Sequence, residues 1–215
     1  MKRNRKILFV ASGFIVSFIV WTLLVSTVDV MQVGQNGTNI GFASFNSFVH
    51  RLTGVHMSLY TLTDVLGLIP IGFALFFAVL GLCQLTARKS LLKVDRDILI
   101  LGTFYAAVIS VFVFFEIFVI NYRPILIDGR LEASYPSSTT LLTMCVIPTA
   151  VMMLSRRIKT TPLRRIISVA LWTFTVFMVI SRLISGVHWA TDIIGGALIS
   201  AGLVLLFGYF TGTHE

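Results

Sequence analysis

Ser181-Arg182, then five residues, His188, three residues and Asp192 place a guanidinium, an imidazole and a carboxylate in one short stretch of chain. An imidazole held through one ring nitrogen by a carboxylate keeps its other nitrogen free to attack. His188 and Asp192 are four apart, so on a helix they would share one face, with the carboxylate accepting from the ring. Arg182 stands just before the turn Ile184-Ser185-Gly186. Its planar fork can donate two parallel hydrogen bonds to an anion above that imidazole. This is a constellation for chemistry on a phosphate group. A second set lies upstream, where Asn121-Tyr122-Arg123-Pro124 is followed after a short polar loop by Tyr135-Pro136-Ser137-Ser138-Thr139-Thr140. Proline before a run of hydroxyls is a helix start. Free amides and the helix dipole there suit an anion, and simple N-capping is the alternative for Ser137 and Thr139.

The elements that position these groups are set by hydropathy. The chain has 215 residues, 56% of them hydrophobic and 12% charged, with mean hydropathy +0.92. Such a composition belongs to an integral membrane protein. A hydrocarbon core of about 30 Å takes roughly 20 helical residues, and six runs reach that scale, near 7–28, 62–86, 98–120, 138–154, 166–185 and 189–210. Short alternating segments of a β-barrel are absent. The expected fold is therefore all-α, a six-transmembrane-helix bundle forming one domain over 1–215. The reactive groups all fall at helix ends on one side of it.

The formal charge of +8 is distributed as a topology signal. Lys2, Arg3, Arg5 and Lys6 precede the first run; Arg88, Lys89, Lys93 and Arg96 follow the second; Arg156, Arg157, Lys159, Arg164 and Arg165 follow the fourth. Every second connection is basic, which by the positive-inside rule makes both termini cytoplasmic. This argues for contact with membrane lipids and against nucleic acid as a partner. Arg51, Arg123, Arg130 and Arg182 fall on the outer side, Arg51 as a solvated loop charge. The basic start and long apolar run at the N-terminus read as a retained anchor, without a small-residue cleavage site. Cys83 and Cys145 lie in apolar runs and read as small core residues, with no disulfide and no metal site indicated. The long outer segment 29–61 carries a short interfacial helix around Phe45–Leu52 that could act as a lid, with His50 and His56 as interfacial polar residues. A plasma membrane of bacterial type fits this layout, with the reactive side extracytoplasmic.

Taken together, the motifs resemble the PAP2 superfamily, the type 2 phosphatidic acid phosphatases that share a core with vanadium haloperoxidases. That family shows Lys, six residues, Arg-Pro; then Pro-Ser-Gly-His; then Ser-Arg, five residues, His, three residues, Asp. The third signature is complete here in Ser181, Arg182, His188 and Asp192. The resemblance implies that His188 is a nucleophile forming a phosphohistidine and that Asp192 orients it. It also implies that Arg123 and Arg182 hold phosphate oxygens, with Ser181 and the helix start Ser137-Ser138-Thr139 completing the phosphate seat. The first two signatures are altered. Glu116 stands where the first has lysine, and Ser138 and Thr139 replace glycine and histidine of the second. That histidine serves the family as general acid for the leaving group, a role threonine cannot fill near neutral pH. A carboxyl at Glu116 is either an ion-pair partner or, with a raised pKa, a proton donor itself.

The resemblance implies hydrolysis of a lipid phosphate or diphosphate, with no cofactor and no metal. General acid help is worth about 100- to 10,000-fold and matters most for a basic leaving group. A lipid phosphate leaving from a diphosphate is a weak base, with a second pKa of about 6. Loss of the imidazole therefore points to a lipid diphosphate such as a polyprenyl diphosphate. The alternative is a PAP2-like protein, catalytically weak or inactive, that binds or moves phospholipid head groups. A channel or solute transporter rests only on the six spans and an intramembrane Glu116.

Overall fold

In a computed structural model, residues 2–212 are described, and they form an all-helical bundle of eight α-helices. These are α1 (Lys2–Thr27), α2 (Ala43–Thr53), α3 (Met57–Leu66), α4 (Leu68–Arg88), α5 (Arg96–Ile117), α6 (Ser138–Arg157), α7 (Thr161–Ile184) and α8 (Ala190–Thr211). Six of the described helical segments are long and apolar enough to cross a membrane, with α3 and α4 counting as one over Met57–Arg88. That span starts earlier than hydropathy suggests. Its first turns carry Tyr60, Thr63 and Asp64, and a single residue, Gly67, separates its two helices.

The burial of each helix shows where it stands. In the most apolar stretch of α6, 56% is buried, and in α8 50%, against 11% in α1. Thus α6 and α8 form the centre, and α1 turns most of its surface to lipid. Helices in lipid gain nothing from hiding apolar surface from one another, so they associate through close packing of small residues. At Gly202 of α8 an added Cβ would lie 2.8 Å from Ile15 Cγ1 and 3.3 Å from the Ala11 carbonyl. Only glycine lets α1 approach that near. Between the helices an aromatic and aliphatic core forms from Phe18, Phe77, Phe104, Phe115, Tyr135, Leu141 and Phe207. Cys145 belongs to it, whereas Cys83 is exposed on α4. The expectation of a core position for Cys83 is corrected, because in α4 it occupies an outward helix face.

The basic helix ends (start of α1, end of α4, start of α5, end of α6, start of α7) gather at one end of the bundle. Here Arg88 pairs with Asp95 at 2.7 Å and Arg157 with Asp97 at 3.0 Å. At the other end, α2 lies across the bundle as the expected short helix. Its Phe45, Phe48 and Leu52 are exposed, while Asn46 is fully buried and bonds Thr191 through both amide atoms, at 2.9 Å and 3.2 Å. One face of α2 is therefore apolar and outward, and the other is fastened to the start of α8.

Candidate active site

The segment from α5 to α6 arrives at this end as a narrow hairpin and not as an irregular loop. Arg123 N–H donates to the Glu132 carbonyl at 3.0 Å and Ser134 N–H to the Asn121 carbonyl at 2.9 Å. Its tip closes Ile127 against Arg130, with Asp128 and Gly129 at φ 49° and 73°, the signs of a type I′ turn. Arg130 is exposed at the tip. The ladder places Arg123 and Ser134 on neighbouring strands, beside the loop that joins α7 to α8.

His188 sits in that loop and is 3% exposed. Because α8 begins only at Ala190, the helical spacing read for His188 and Asp192 does not apply. Asp192 lies in the first turn of α8, where its Oδ2 accepts from Trp189 N–H at 2.9 Å as an acidic residue at that position is suited to do. Asn121 Nδ2 donates to its Oδ1 at 3.2 Å. Pinned in this way, Asp192 Oδ2 stands 3.9 Å from His188 Nδ1, beyond hydrogen-bond range. The expected direct contact is replaced by a bridge. Ser134 Oγ lies 2.9 Å from His188 Nδ1 and donates to Asp192 Oδ2 at 2.5 Å.

The bridge fixes the tautomer. A serine hydroxyl has one proton, and here the carboxylate takes it. Toward the imidazole Ser134 Oγ must accept, so Nδ1 carries the ring proton and Nε2 is left with a bare lone pair. His188 Nε2 is buried and has no hydrogen-bond partner. Burial first, and then the charges of Arg123 and Arg182, hold this imidazole well below its ordinary value of 6.5. The ring is accordingly neutral at pH 7.

Both arginines face the same space with unused donors. Arg123 Nε and Nη1 and Arg182 Nε are buried without hydrogen-bond partners. Arg182 Nη1 donates to Thr63 Oγ1 at 3.1 Å, and its Nη2 is 3.9 Å from Asp64 Oδ1. Arg123 Nε approaches Glu132 Oε2 to 3.1 Å without the alignment of a hydrogen bond. The ring of Tyr60 lies beneath both guanidinium groups, 4.6 Å from Arg182 Cζ and 5.9 Å from Arg123 Cζ, a cation–π arrangement. Two like charges are thus kept close together, with donors free. Such an arrangement suits an anion with several acceptor oxygens.

The helix start at α6 is only partly available. The Ser137 amide donates to the Asp192 carbonyl at 3.1 Å, and its hydroxyl accepts from Thr140 Oγ1 at 3.1 Å. That leaves the next amides, at Ser138 and Thr139, without intrahelical acceptors. Ser138 and Thr139 are half-buried and line a cavity of about 430 Å³ with Asp64, Leu68, Ile71 and Phe112. Ser181 is buried, with no side-chain hydrogen bond among the described residues. Glu116 is exposed near the end of α5 and forms no ion pair among the described residues, so no contact brings it into this group.

Sequence reasoning missed Ser134, Asn121, Tyr60, Thr63 and Asp64. The last three had a signal: spaced i, i+3, i+4, they share one face of the helix and put a carboxylate on an apolar span. Ser134 and Asn121 each lie two positions from a motif residue, Pro136 and Arg123, with nothing in their own type to mark them.

Residues 106–214 match the model of the PAP2 superfamily. In three dimensions the chain is similar to a solved structure described as the first transmembrane PAP2 type phosphatidylglycerolphosphate phosphatase from Bacillus subtilis. The TM-score is 0.68 at 16% identity, covering 95% of this chain and 97% of that chain. At that identity the likeness speaks for a shared fold, and it extends to helices before the matched region. No curated protein matches in sequence. The matched region is just over half the chain and includes Arg123, the α6 start and the whole Ser181-to-Asp192 stretch, so this multi-pass membrane protein belongs to the PAP2 superfamily.

Proposed function

We propose that this protein hydrolyses a lipid diphosphate, using His188 as nucleophile. The observation that carries the proposal is the convergence of four buried polar atoms without hydrogen-bond partners: His188 Nε2, Arg123 Nε (ion-paired with the Glu132 carboxylate) and Nη1, and Arg182 Nε. Three are donors held on fixed cations, and one is a bare lone pair. A phosphoryl group satisfies all of them at once. Nε2 attacks phosphorus, and the bond to the bridging oxygen breaks with its electron pair leaving on the lipid phosphate. The ring, now substituted at Nε2 and still protonated at Nδ1, carries positive charge facing Asp192 through Ser134. Arg123, Arg182 and the amides at the α6 start stabilise charge on the three equatorial oxygens. Water then attacks phosphorus, the electron pair of the P–N bond returns to Nε2, and both water protons leave with inorganic phosphate. No metal enters this scheme.

The cavity beside Asp64, Ser138 and Thr139 has mostly apolar walls, suited to the lipid chain adjoining the phosphate. With basic residues gathered at the opposite end, we read the site, by the positive-inside rule, as facing the extracytoplasmic side, with both termini inside. Thr139 brings no titratable acid to the leaving group. A diphosphate should therefore be turned over at least about 100-fold faster than the matched monophosphate. The test is phosphate release by purified protein in detergent from a polyprenyl diphosphate and its monophosphate. Equal rates would remove the diphosphate preference. A second reading, a lipid-phosphate binder, draws on the same Thr139 and is what remains if intact protein binds the lipid and releases nothing.

The pH profile supplies a separate check. A base whose pKa is depressed stays neutral as pH falls below 6.5, and it is lost as a nucleophile only on reaching its own lower value. In kcat/KM, which reports the free enzyme, the acid limb should thus lie well below pH 6.5 once substrate ionisation is divided out. A limb at or above 6.5 would mean that His188 does not titrate as its surroundings dictate.

A further inference from the structure

We infer that Ser134 is a positioning residue for His188, relaying the Asp192 carboxylate to the ring and selecting the tautomer that leaves Nε2 free. The inference rests on the reading of His188 as nucleophile. Its basis is the geometry of three fully enclosed groups: Ser134 is 2% exposed, His188 3% and Asp192 0%. Asp192 cannot do the work alone. Its Oδ2 is held by Trp189 N–H and its Oδ1 by Asn121 Nδ2, which leaves a gap of 3.9 Å to the ring. A carboxylate tied to a helix start and to a hairpin cannot cross that gap without giving up one of those bonds.

The direction of the relay follows from proton count. Among the three groups only the carboxylate is purely an acceptor. It fixes the serine proton on its side, and the serine in turn can only accept from Nδ1. Reversing the ring to carry its proton on Nε2 would leave two lone pairs, Nδ1 and Ser134 Oγ, facing each other at 2.9 Å. That arrangement is repulsive, so the hydroxyl excludes the unreactive tautomer as well as supporting the reactive one. The hairpin supplies the serine: Ser134 N–H on the Asn121 carbonyl and Arg123 N–H on the Glu132 carbonyl set it in register with one of the two arginines. The same ladder therefore aligns the relay and the anion seat.

Replacing Ser134 by alanine removes the bridge and leaves a buried ring N–H opposite a carboxylate it cannot reach. The ring can then take up the Nε2-protonated form. We expect kcat on polyprenyl diphosphate to fall about 10- to 1,000-fold, with KM changed less than about threefold, because the arginines that hold the phosphate are untouched. Ser134→Thr keeps the hydroxyl and should recover most of the loss. Nitrogen-15 spectra of histidine-labelled protein, with His188 assigned by its disappearance in His188→Gln, provide a readout that packing alone would not move. Wild type should show Nδ1 protonated and Nε2 bare, and Ser134→Ala should shift toward protonated Nε2. Wild-type kcat in Ser134→Ala with an unchanged tautomer would overturn the relay and leave the phosphatase reading standing. A wild-type protein that releases no phosphate would overturn the phosphatase reading, and the spectra would still decide the tautomer. Should Ser134→Ala fail to fold, protonated Nε2 in the wild-type spectrum would by itself overturn the inference.

Discussion

Phosphate release from a polyprenyl diphosphate should fall by about a thousandfold or more when His188 is replaced by alanine, while the protein stays folded and still binds the lipid. The loss is large because the proposed route forms its covalent intermediate at Nε2. Folding is spared for a specific reason. Nε2 makes no bond in the fold, and the one bond lost, from Nδ1 to Ser134 Oγ, leaves that hydroxyl still donating to Asp192. Binding is spared because the proposed donors toward phosphate belong to Arg123 and Arg182. The measurement is single-turnover phosphate release beside thermal unfolding and lipid binding. Residual release at the wild-type rate would assign the activity to a contaminant or to another group. Lost binding together with lost release would mean that His188 shapes the seat as well as attacking from it.

A large loss of stability is expected at Gly186. Its φ is +67°, and an added Cβ would lie 1.9 Å from the Gly54 carbonyl oxygen and 3.0 Å from its carbon. Backbone cannot yield as a side-chain tip can. Left-handed geometry costs a non-glycine residue about 1–2 kcal/mol, and overpacking typically adds 1–3 kcal/mol. Gly186→Ala should therefore lower the unfolding midpoint by on the order of 10 °C. Gly72→Ala, where a Cβ meets nothing within 4 Å, should leave it unchanged or slightly raised. Activity should drop with Gly186→Ala as well. The loop bearing His188 is fastened to the α2–α3 connection through His56 N–H on the Ser185 carbonyl at 3.0 Å and to α2 through His50 Nε2 at 3.1 Å from the Gly186 carbonyl. A stable Gly186→Ala protein with full turnover would show that this fastening is dispensable.

What could be read from residues alone followed the range over which each signal acts. Apolar length is a local property, and it located the six spans to within a few residues. The break at Gly67 escaped because hydropathy does not register a single residue between two helices. Arg123, Arg182, His188 and Asp192 stand out because charged and titratable groups at membrane helix ends need a reason to be there. The contact between His188 and Asp192 was misjudged because helical spacing was applied across a helix start. Ser137 offered an amide on paper, but the Asp192 carbonyl occupies it. Glu116, the most conspicuous acid near the motifs, stays exposed, while Asp64 comes within 3.9 Å of Arg182 from a distant span. Such pairings join positions over a hundred residues apart and have no signature in either neighbourhood.

The cap on α8 changes how this chain should be compared with any relative that has lost catalysis. Asp192 holds the Trp189 amide and the Asn121 side chain at the point where α8 begins, and the α8 start in turn anchors α2 through Thr191 and Asn46. Selection for a folded α8 start would retain this carboxylate in a protein that hydrolyses nothing. A surviving aspartate is therefore a mark of architecture, and inactive and active chains alike should carry it. The imidazole carries less of that load, since its buried Nε2 makes no hydrogen bond in the fold. Among divergent chains of this fold, it is the histidine and its serine partner, and not the aspartate, whose fate should track enzymatic turnover.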